Sequence, residues 1–300
     1  MIARLYPINT GRALGLLGMG ASVGFFVSPI YSGWRAETAG WRTPVLELGL
    51  LGLVAAGVFA WLADEESAGP ESIEPPAAHN GLFPTLSLWA FFFAAAALFS
   101  LRDFAGSSMG SLGSLFMQKA HGFSLRETGA ALSAIFLAGV ISNPLFGHLS
   151  DRGRIRWTAA VLLMSVVIVA VFPRMAPEWL LPTFALYGFF FMASYPMVEA
   201  ALMQSVPDAV RGRVFGLFIT VGGLLGNLSH WIVGNWVKAL GTGAVNPTAY
   251  RPLYLFLSFL LLASLLGLPC LHAIRKREHL NLNLEPAPGA APSIADSRSK

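Results

Sequence analysis

Three hundred residues, 55% hydrophobic and only 12% charged, with a formal net charge of +4, exclude an ordinary soluble domain, in which about a quarter of residues are charged. A single cysteine excludes an internal disulfide framework and a multi-cysteine metal site, and basic residues scattered between long apolar runs form no face for nucleic acid. The composition is that of a polytopic membrane protein whose first partner is the lipid bilayer.

A membrane helix needs about 20 predominantly apolar residues. Eight stretches meet that requirement, at about 13–33, 44–63, 84–110, 127–148, 157–175, 179–204, 214–237 and 252–273. They are apolar all round and show no alternating ten-residue pattern, which predicts helices in lipid and not a β-barrel. The first follows Arg4 and Arg12 as a signal peptide would, but it is too long for an h-region and lacks a cleavage site, so it reads as a retained span. Residues 64–83 hold five acids, three prolines and no Lys or Arg, the composition of a flexible linker. Residues 278–300 are Pro/Ala/Ser-rich and read as a disordered tail. The chain thus divides into 1–63, 64–83, 84–277 and 278–300.

In the first span, Gly20 and Gly24 share a helix face suited to close packing, as do Gly11 and Gly15 and, in the seventh span, Gly222 and Gly226; Pro29 removes a backbone bond and predicts a kink, and Gly33 follows one turn later. The same stretch spells Gly20-Ala21-Ser22-Val23-Gly24, a hydrolase-elbow pattern with His148 or His230 as conceivable bases. Inside an apolar helix, with no oxyanion loop, an intramembrane serine hydrolase is the weakest reading. Glu47 in the second span reads as an interfacial anchor. The third span carries Arg102 and Asp103. If the helix runs on to Phe116, the pair lies inside the membrane, where ionisable residues are functional candidates. If it ends near Ser100, they are an interfacial pair. Adjacent residues cannot both face one cavity.

Asn143 lies in the fourth span, and the loop after it reads Gly147-His148-Leu149-Ser150-Asp151-Arg152-Gly153-Arg154. Glu199, in the sixth span, is a candidate proton or substrate carrier. Asn227 and His230, in the seventh, are candidate cavity or helix-pairing groups. The triplets Phe91–Phe93 and Phe189–Phe191 read as facing lipid. No dinucleotide fingerprint, phosphate loop or metal-ligand spacing occurs, so no cofactor, no metal and no ATP-driven pump is expected.

The segment Gly11-Arg12-Ala13-Leu14-Gly15-Leu16 returns 201 positions later as Gly212-Arg213-Val214-Phe215-Gly216-Leu217, and Ser28 and Gly33 meet Ser229 and Gly234 at the same offset. Parallel repeats of this kind build transporters from two halves. Six spans follow the linker and two precede it. The repeat therefore predicts four helices ahead of Met1, through a mis-called start, a fragment or a natural short form. Ten Lys/Arg flank the spans on the side of both termini against seven on the other, which favours cytoplasmic termini.

The loop Gly147 to Arg154 resembles the G-x-L-x-D-R-x-G-R signature of the major facilitator superfamily, with one residue fewer between Arg152 and Gly153. Gly20, Gly24, Pro29 and Gly33, followed by Gly40-Trp41-Arg42, are similar to the helix-five motif of its drug:proton antiporter branches, with Ser28 where a glycine is usual. The resemblance implies an all-α transmembrane bundle holding helices five to twelve of twelve, that is, a complete second half and the last two helices of the first. It implies alternating-access transport of a small organic solute, with proton-coupled efflux through the plasma membrane. Arg102, Asp103, Glu199, Asn143, Asn227 and His230 would serve substrate or coupling. Gly147, Asp151, Arg152, Gly153 and Arg154 would form a gating loop, and the pseudo-symmetry of the repeat places Asp151 as the cap of the helix start at Gly11 and Arg12. The alternative from another class is a non-transporting remnant or accessory membrane subunit.

Overall fold

The computed structural model describes residues 10–62, 86–206 and 208–274. The linker 64–83, the tail 278–300 and the charges at Arg4 and Arg275–Arg277 lie outside the described residues. Eight helices are long and apolar enough to cross a membrane, and no strand occurs among the described residues. They are α1 (Thr10–Ala39), α2 (Arg42–Leu62), α3 (Leu86–His121), α4 (Leu125–Ser150), α5 (Arg154–Val171), α6 (Pro177–Met203), α7 (Asp208–Ala239) and α8 (Arg251–Ser264), the last continued by residues 267–274. The fold is an all-α transmembrane bundle.

Local chemistry sets the helix ends. Gly40 and Gly122, at φ +80° and +70°, take the left-handed turn between α1 and α2 and between α3 and α4. Ser124 opens α4 with a capping box: its hydroxyl accepts from the Glu127 amide at 3.2 Å, and the Glu127 carboxylate accepts from the Ser124 amide at 2.8 Å. Arg211 closes α6 from the neighbouring helix, donating from Nε to the Met203 carbonyl at 2.7 Å. The 36-residue α3 runs on well past Ser100 to about 54 Å, so Arg102 and Asp103 lie at mid-helix rather than at an interface.

α1 packs chiefly on α4, α4 on α6, α3 on α7, and α5 on α6 and α8. α2 buries only Pro44 and leans on α1, where Glu47 accepts from Arg35 Nε at 2.9 Å and from the Tyr31 hydroxyl. Near the Lys119 end of α3, an aromatic cluster joins α3 and α6 to the turns just after α5 and just before α8, with Phe116–Tyr250 ring centroids at 5.0 Å and Phe172–Phe184 at 4.6 Å. Nearer the opposite end, Leu88, Phe92, Phe99, Leu202, Phe218 and Leu271 form a second core. The phenylalanine triplets are not lipid-facing throughout: Phe92 and Phe191 are fully buried while Phe93 is half exposed. Successive helical residues are turned by about 100°, so one ring of each triplet must point inward.

The α1–α4 pair is held by contact between backbones. A Cβ on Gly15 would sit 2.4 Å from the Asn143 carbonyl oxygen, and one on Gly147 would sit 2.5 Å from that of Gly11. Further along, a Cβ on Gly129 would meet the Pro29 carbonyl oxygen at 2.5 Å, and one on Gly33 that of Leu125 at 2.9 Å. The glycines singled out for packing are thus only partly the ones that pack. Gly33 does, but Gly20 and Gly24 are exposed and a Cβ there meets nothing within 4 Å among the described residues. The face of α1 turned to α4 is set by Gly11 and Gly15, and Gly20 and Gly24 lie on another face. Because of that geometry, Gly147→Ala is expected to destabilise the purified protein by about 1–3 kcal/mol, the cost of overpacking. Gly24→Ala should be neutral or stabilising by up to about 1 kcal/mol, as helix propensity alone dictates. Thermal unfolding followed by size-exclusion chromatography checks both; equal damage from the two would contradict this packing.

Candidate functional site

A cavity of about 840 Å³ opens between α1, α3, α4, α6 and α7. α1 contributes Ser22, Phe25 and Pro29, and α4 contributes Leu132, Ile135, Phe136 and Asn143. α6 brings Tyr187, Phe191, Met192, Tyr195 and Glu199, and His230 comes from α7. From α3 come Ser107, Ser111 and Ser114, spaced i, i+4, i+7 so that one helical face carries all three hydroxyls. Elsewhere the wall is mostly apolar, the usual character of a small-molecule site.

Three of the polar candidates read from the sequence meet here. Asn143, 5% exposed, donates from Nδ2 to the Ser22 hydroxyl at 3.1 Å, which joins α4 to α1 at mid-helix. His230 Nδ1 shares a hydrogen bond with the Ser111 hydroxyl, which joins α7 to α3. Glu199 lines the cavity, and no hydrogen bond or ion pair ties it to another described side chain. Ser22 accepts from Asn143 and is bonded by neither His148 nor His230, so no base is placed to activate it as a nucleophile.

Arg102 and Asp103 answer to one another instead of to the cavity. Arg102, 2% exposed, donates from Nε and Nη2 to Asp103 Oδ1 at 3.0 and 2.8 Å. Its guanidinium stacks 4.2 Å from the Tyr195 ring centroid and reaches the Ser194 carbonyl at 3.5 Å. Asp103 Oδ2 in turn presses on α7, 2.5 Å from where a Cβ of Gly222 would stand. The pair therefore ties α3 to α6 through the guanidinium and packs closely against α7. Asn227 also lies outside the cavity wall: it is exposed, because Gly226 just before it already faces α3.

The Gly147–Arg154 loop lies at the α1 N-terminus. Asp151 accepts from the backbone amides of Gly11 at 3.0 Å and Arg12 at 3.2 Å, satisfying orphan donors where the helix dipole favours a negative charge. Arg154 Nη2 holds the same carboxylate at 3.0 Å, while Arg152 is exposed and Gly153 precedes α5. At the other end of the pair a second carboxylate does the same in reverse: Glu37, in the last turn of α1, accepts from the Arg126 amide at the start of α4 at 2.8 Å.

Sequence reasoning missed Tyr187, Phe191, Tyr195 and the serine stripe of α3. The stripe was readable, since serines at i, i+4 and i+7 in an apolar helix mark a polar face. The aromatic residues were not, because a ring on a membrane helix carries no mark of the side it faces. It also passed over Glu37, an acid at a span end with no visible partner nearby in the chain.

The sequence model of the Major Facilitator Superfamily matches residues 1–230. Among curated proteins, the cis,cis-muconate transport protein of Acinetobacter baylyi is 22% identical over 223 residues, covering 70% of this chain and 54% of that protein. The multi-drug resistance efflux pump PmrA of Streptococcus pneumoniae is 25% identical over 244 residues, covering 74% of this chain and 57% of the pump. The chain thus spans little more than half the length of the curated relatives it matches. Both relatives are named as transport proteins, and neither as an enzyme. With the eight apolar helices and a match over most of its length, the chain is a multi-pass membrane protein that belongs to the Major Facilitator Superfamily.

Proposed function

We propose that the protein is a secondary active transporter that moves a small organic solute by alternating access, in exchange for protons and in the direction of efflux. The observation that carries this reading is the cavity of about 840 Å³ between α1 and the helices beyond residue 83, which has the size and apolar wall of a drug-sized binding site. Glu199 is its coupling group, a carboxyl facing the cavity without a fixed partner, able to hold a proton or a solute but not both. On this reading α1 and α2 are the last two helices of a first half, and α3 to α8 form the second. Both termini lie on the cytoplasmic side of the plasma membrane.

The two carboxylate caps on α1–α4 supply the gates. Both caps are made in this structure; on this reading Glu37 lets go in the outward-facing state while Asp151 keeps the cytoplasmic end closed, and Asp151 lets go in the inward-facing state while Glu37 keeps the opposite end closed. Each is a hydrogen-bonded contact at one rim of the cavity, so each breaks when that rim opens. Alternating access needs two such contacts of comparable strength, since a large imbalance would hold one state permanently.

Glu199→Gln is expected to abolish proton-driven transport in proteoliposomes while leaving thermal stability within about 0.5 kcal/mol. Normal flux in that variant would remove Glu199 from coupling. Arg102→Ala should instead lose folded protein, by about 1–3 kcal/mol, because it leaves a partly buried Asp103 carboxylate unpaired. The double variant Arg102→Ala with Asp103→Ala should recover much of that loss. Stable, transport-dead Arg102→Ala protein would make the arginine a substrate ligand rather than a staple.

A further inference from the structure

Resting on the transport reading above, we infer that the seam between α3 and α7 is a proton path from the Lys119 end of the bundle toward Glu199, with His230 as its relay. α3 carries Asp103, Ser107, Ser111, Ser114 and Gln118 at i, i+4, i+8, i+11 and i+15, which is one face of a helix. α7 meets that face in register. Asp103 Oδ2 lies 2.5 Å from where a Cβ of Gly222 would stand, and Ser107 Oγ lies 3.4 Å from that of Gly226. One turn further on, Ser111 is hydrogen-bonded to His230 Nδ1. Two glycines thus leave the polar atoms of α3 uncovered, and the third position holds the one titratable side chain on α7 between Arg213 and Lys238.

These serines differ from serines that only pack. Ser100, Ser133 and Ser165 each donate to the carbonyl four residues back, at 2.6–2.9 Å, which satisfies the hydroxyl within its own helix. The Ser107 hydroxyl bonds no other described residue, and that of Ser114 is engaged only as the acceptor of Gln118 Nε2, at 2.9 Å. Both line the cavity. Neighbouring rungs stand one turn apart, about 5.4 Å, a gap that one water bridges.

Ser111 lets His230 change charge in place. Its Oγ also lies 3.2 Å from the Ser107 carbonyl. When Nδ1 carries a proton it donates to Ser111 Oγ, and the hydroxyl hydrogen turns to that carbonyl. When Nδ1 is bare, the same hydrogen turns back and donates to it. Nε2 has no partner among the described residues, so the ring can gain a proton at one nitrogen and lose it from the other. The proton leaves water at the Lys119 end, passes the Ser114 and Ser111 hydroxyls to His230, and reaches the Glu199 carboxylate through water along the Ser107 wall. Glu199 stands eight residues past Phe191, which packs on Gly106, so it lies about 12 Å nearer the Asp151 end than that contact. Around His230, α6 offers Glu199 and the phenols of Tyr187 and Tyr195, and α3 offers the Arg102–Asp103 pair and Lys119. Lys238 follows on α7, and the cavity-lining residues of α1 and α4 are uncharged.

The test follows Glu199 itself. The full chain is reconstituted in proteoliposomes with the Lys119 end outward, and the outside alone is jumped to acid pH. Time-resolved infrared difference spectroscopy records the carboxyl C=O stretch that Glu199→Gln removes. His230→Ala is expected to slow the rise of that band at least about tenfold, and imidazole added to the buffer should restore most of the rate. His230→Gln keeps a hydrogen-bond partner for Ser111 but carries no proton, so it should be as slow as the alanine variant. Ser111→Ala should fall between, and Ser133→Ala should match the parent. A parent-like rate in His230→Gln would overturn the inference, as would a slow His230→Ala that imidazole does not rescue. A band under His230 control in protein that moves no solute would uphold the path and defeat the transport reading. Proton-driven solute flux that His230→Gln leaves unchanged would do the reverse.

Discussion

The antiparallel contact of α1 with α4 is the constraint on which the rest of the structure depends. Lipid offers no hydrophobic drive for two apolar helices to meet, so their pairing must come from close packing and hydrogen bonds. Glycines on both helices bring the backbones within reach: Gly11 and Gly15 against Gly147 and Asn143 at one end, Gly33 against Leu125 and Pro29 against Gly129 at the other. Asn143 and Ser22 join them in the middle. Each helix also lends a carboxylate from near its C-terminus to the amides that open its partner, Asp151 to α1 and Glu37 to α4. The two caps are reciprocal, because antiparallel helices place each C-terminus beside the other's N-terminus.

That pair forms one wall of the cavity, and the disposition of charge on the opposite side defines the cavity's character. A buried arginine is tolerable only when paired. Asp103, its neighbour in sequence, supplies the pairing and removes both charges from the wall. The pair then ties α3 to α6 and packs against α7, which sets Tyr195 beneath the guanidinium and carries Glu199 toward the cavity one turn later on α6. The outcome is a cavity lined by aromatic rings and, among the described residues, one carboxyl group, beside an ion pair that is absent from its wall.

Much of this was legible in the residues. Length and hydropathy sufficed for eight helices, because the bilayer demands both at once. The repeat at Gly11 and Gly212 located the partner of Asp151, since a duplicated helix start implies a duplicated neighbour. The side each residue faces was less legible. Gly20 and Gly24 have the spacing of a packing pair, but α1 is apolar on every face and its pattern does not say which face meets α4. Arg102 and Asp103 were readable as cavity groups or as partners of one another, and the path of the arginine side chain decides for the pair. Asn227 and His230, three residues apart, looked equivalent. The contact of Gly226 with α3 turns one outward, and His230 reaches Ser111 on the cavity wall.

The central claim is that the two ends of α1–α4 close in turn. Cys270 is the only cysteine, so a Cys270→Ser background permits spin labels at Arg12 and Arg152 for one end, and at Thr38 and Arg126 for the other. Electron–electron distances would be measured in nanodiscs as the pH is stepped and solute is added. The account predicts that one distance lengthens while the other stays short, and that the two exchange roles between conditions. Two distances that hold fixed, or that lengthen together, would contradict it.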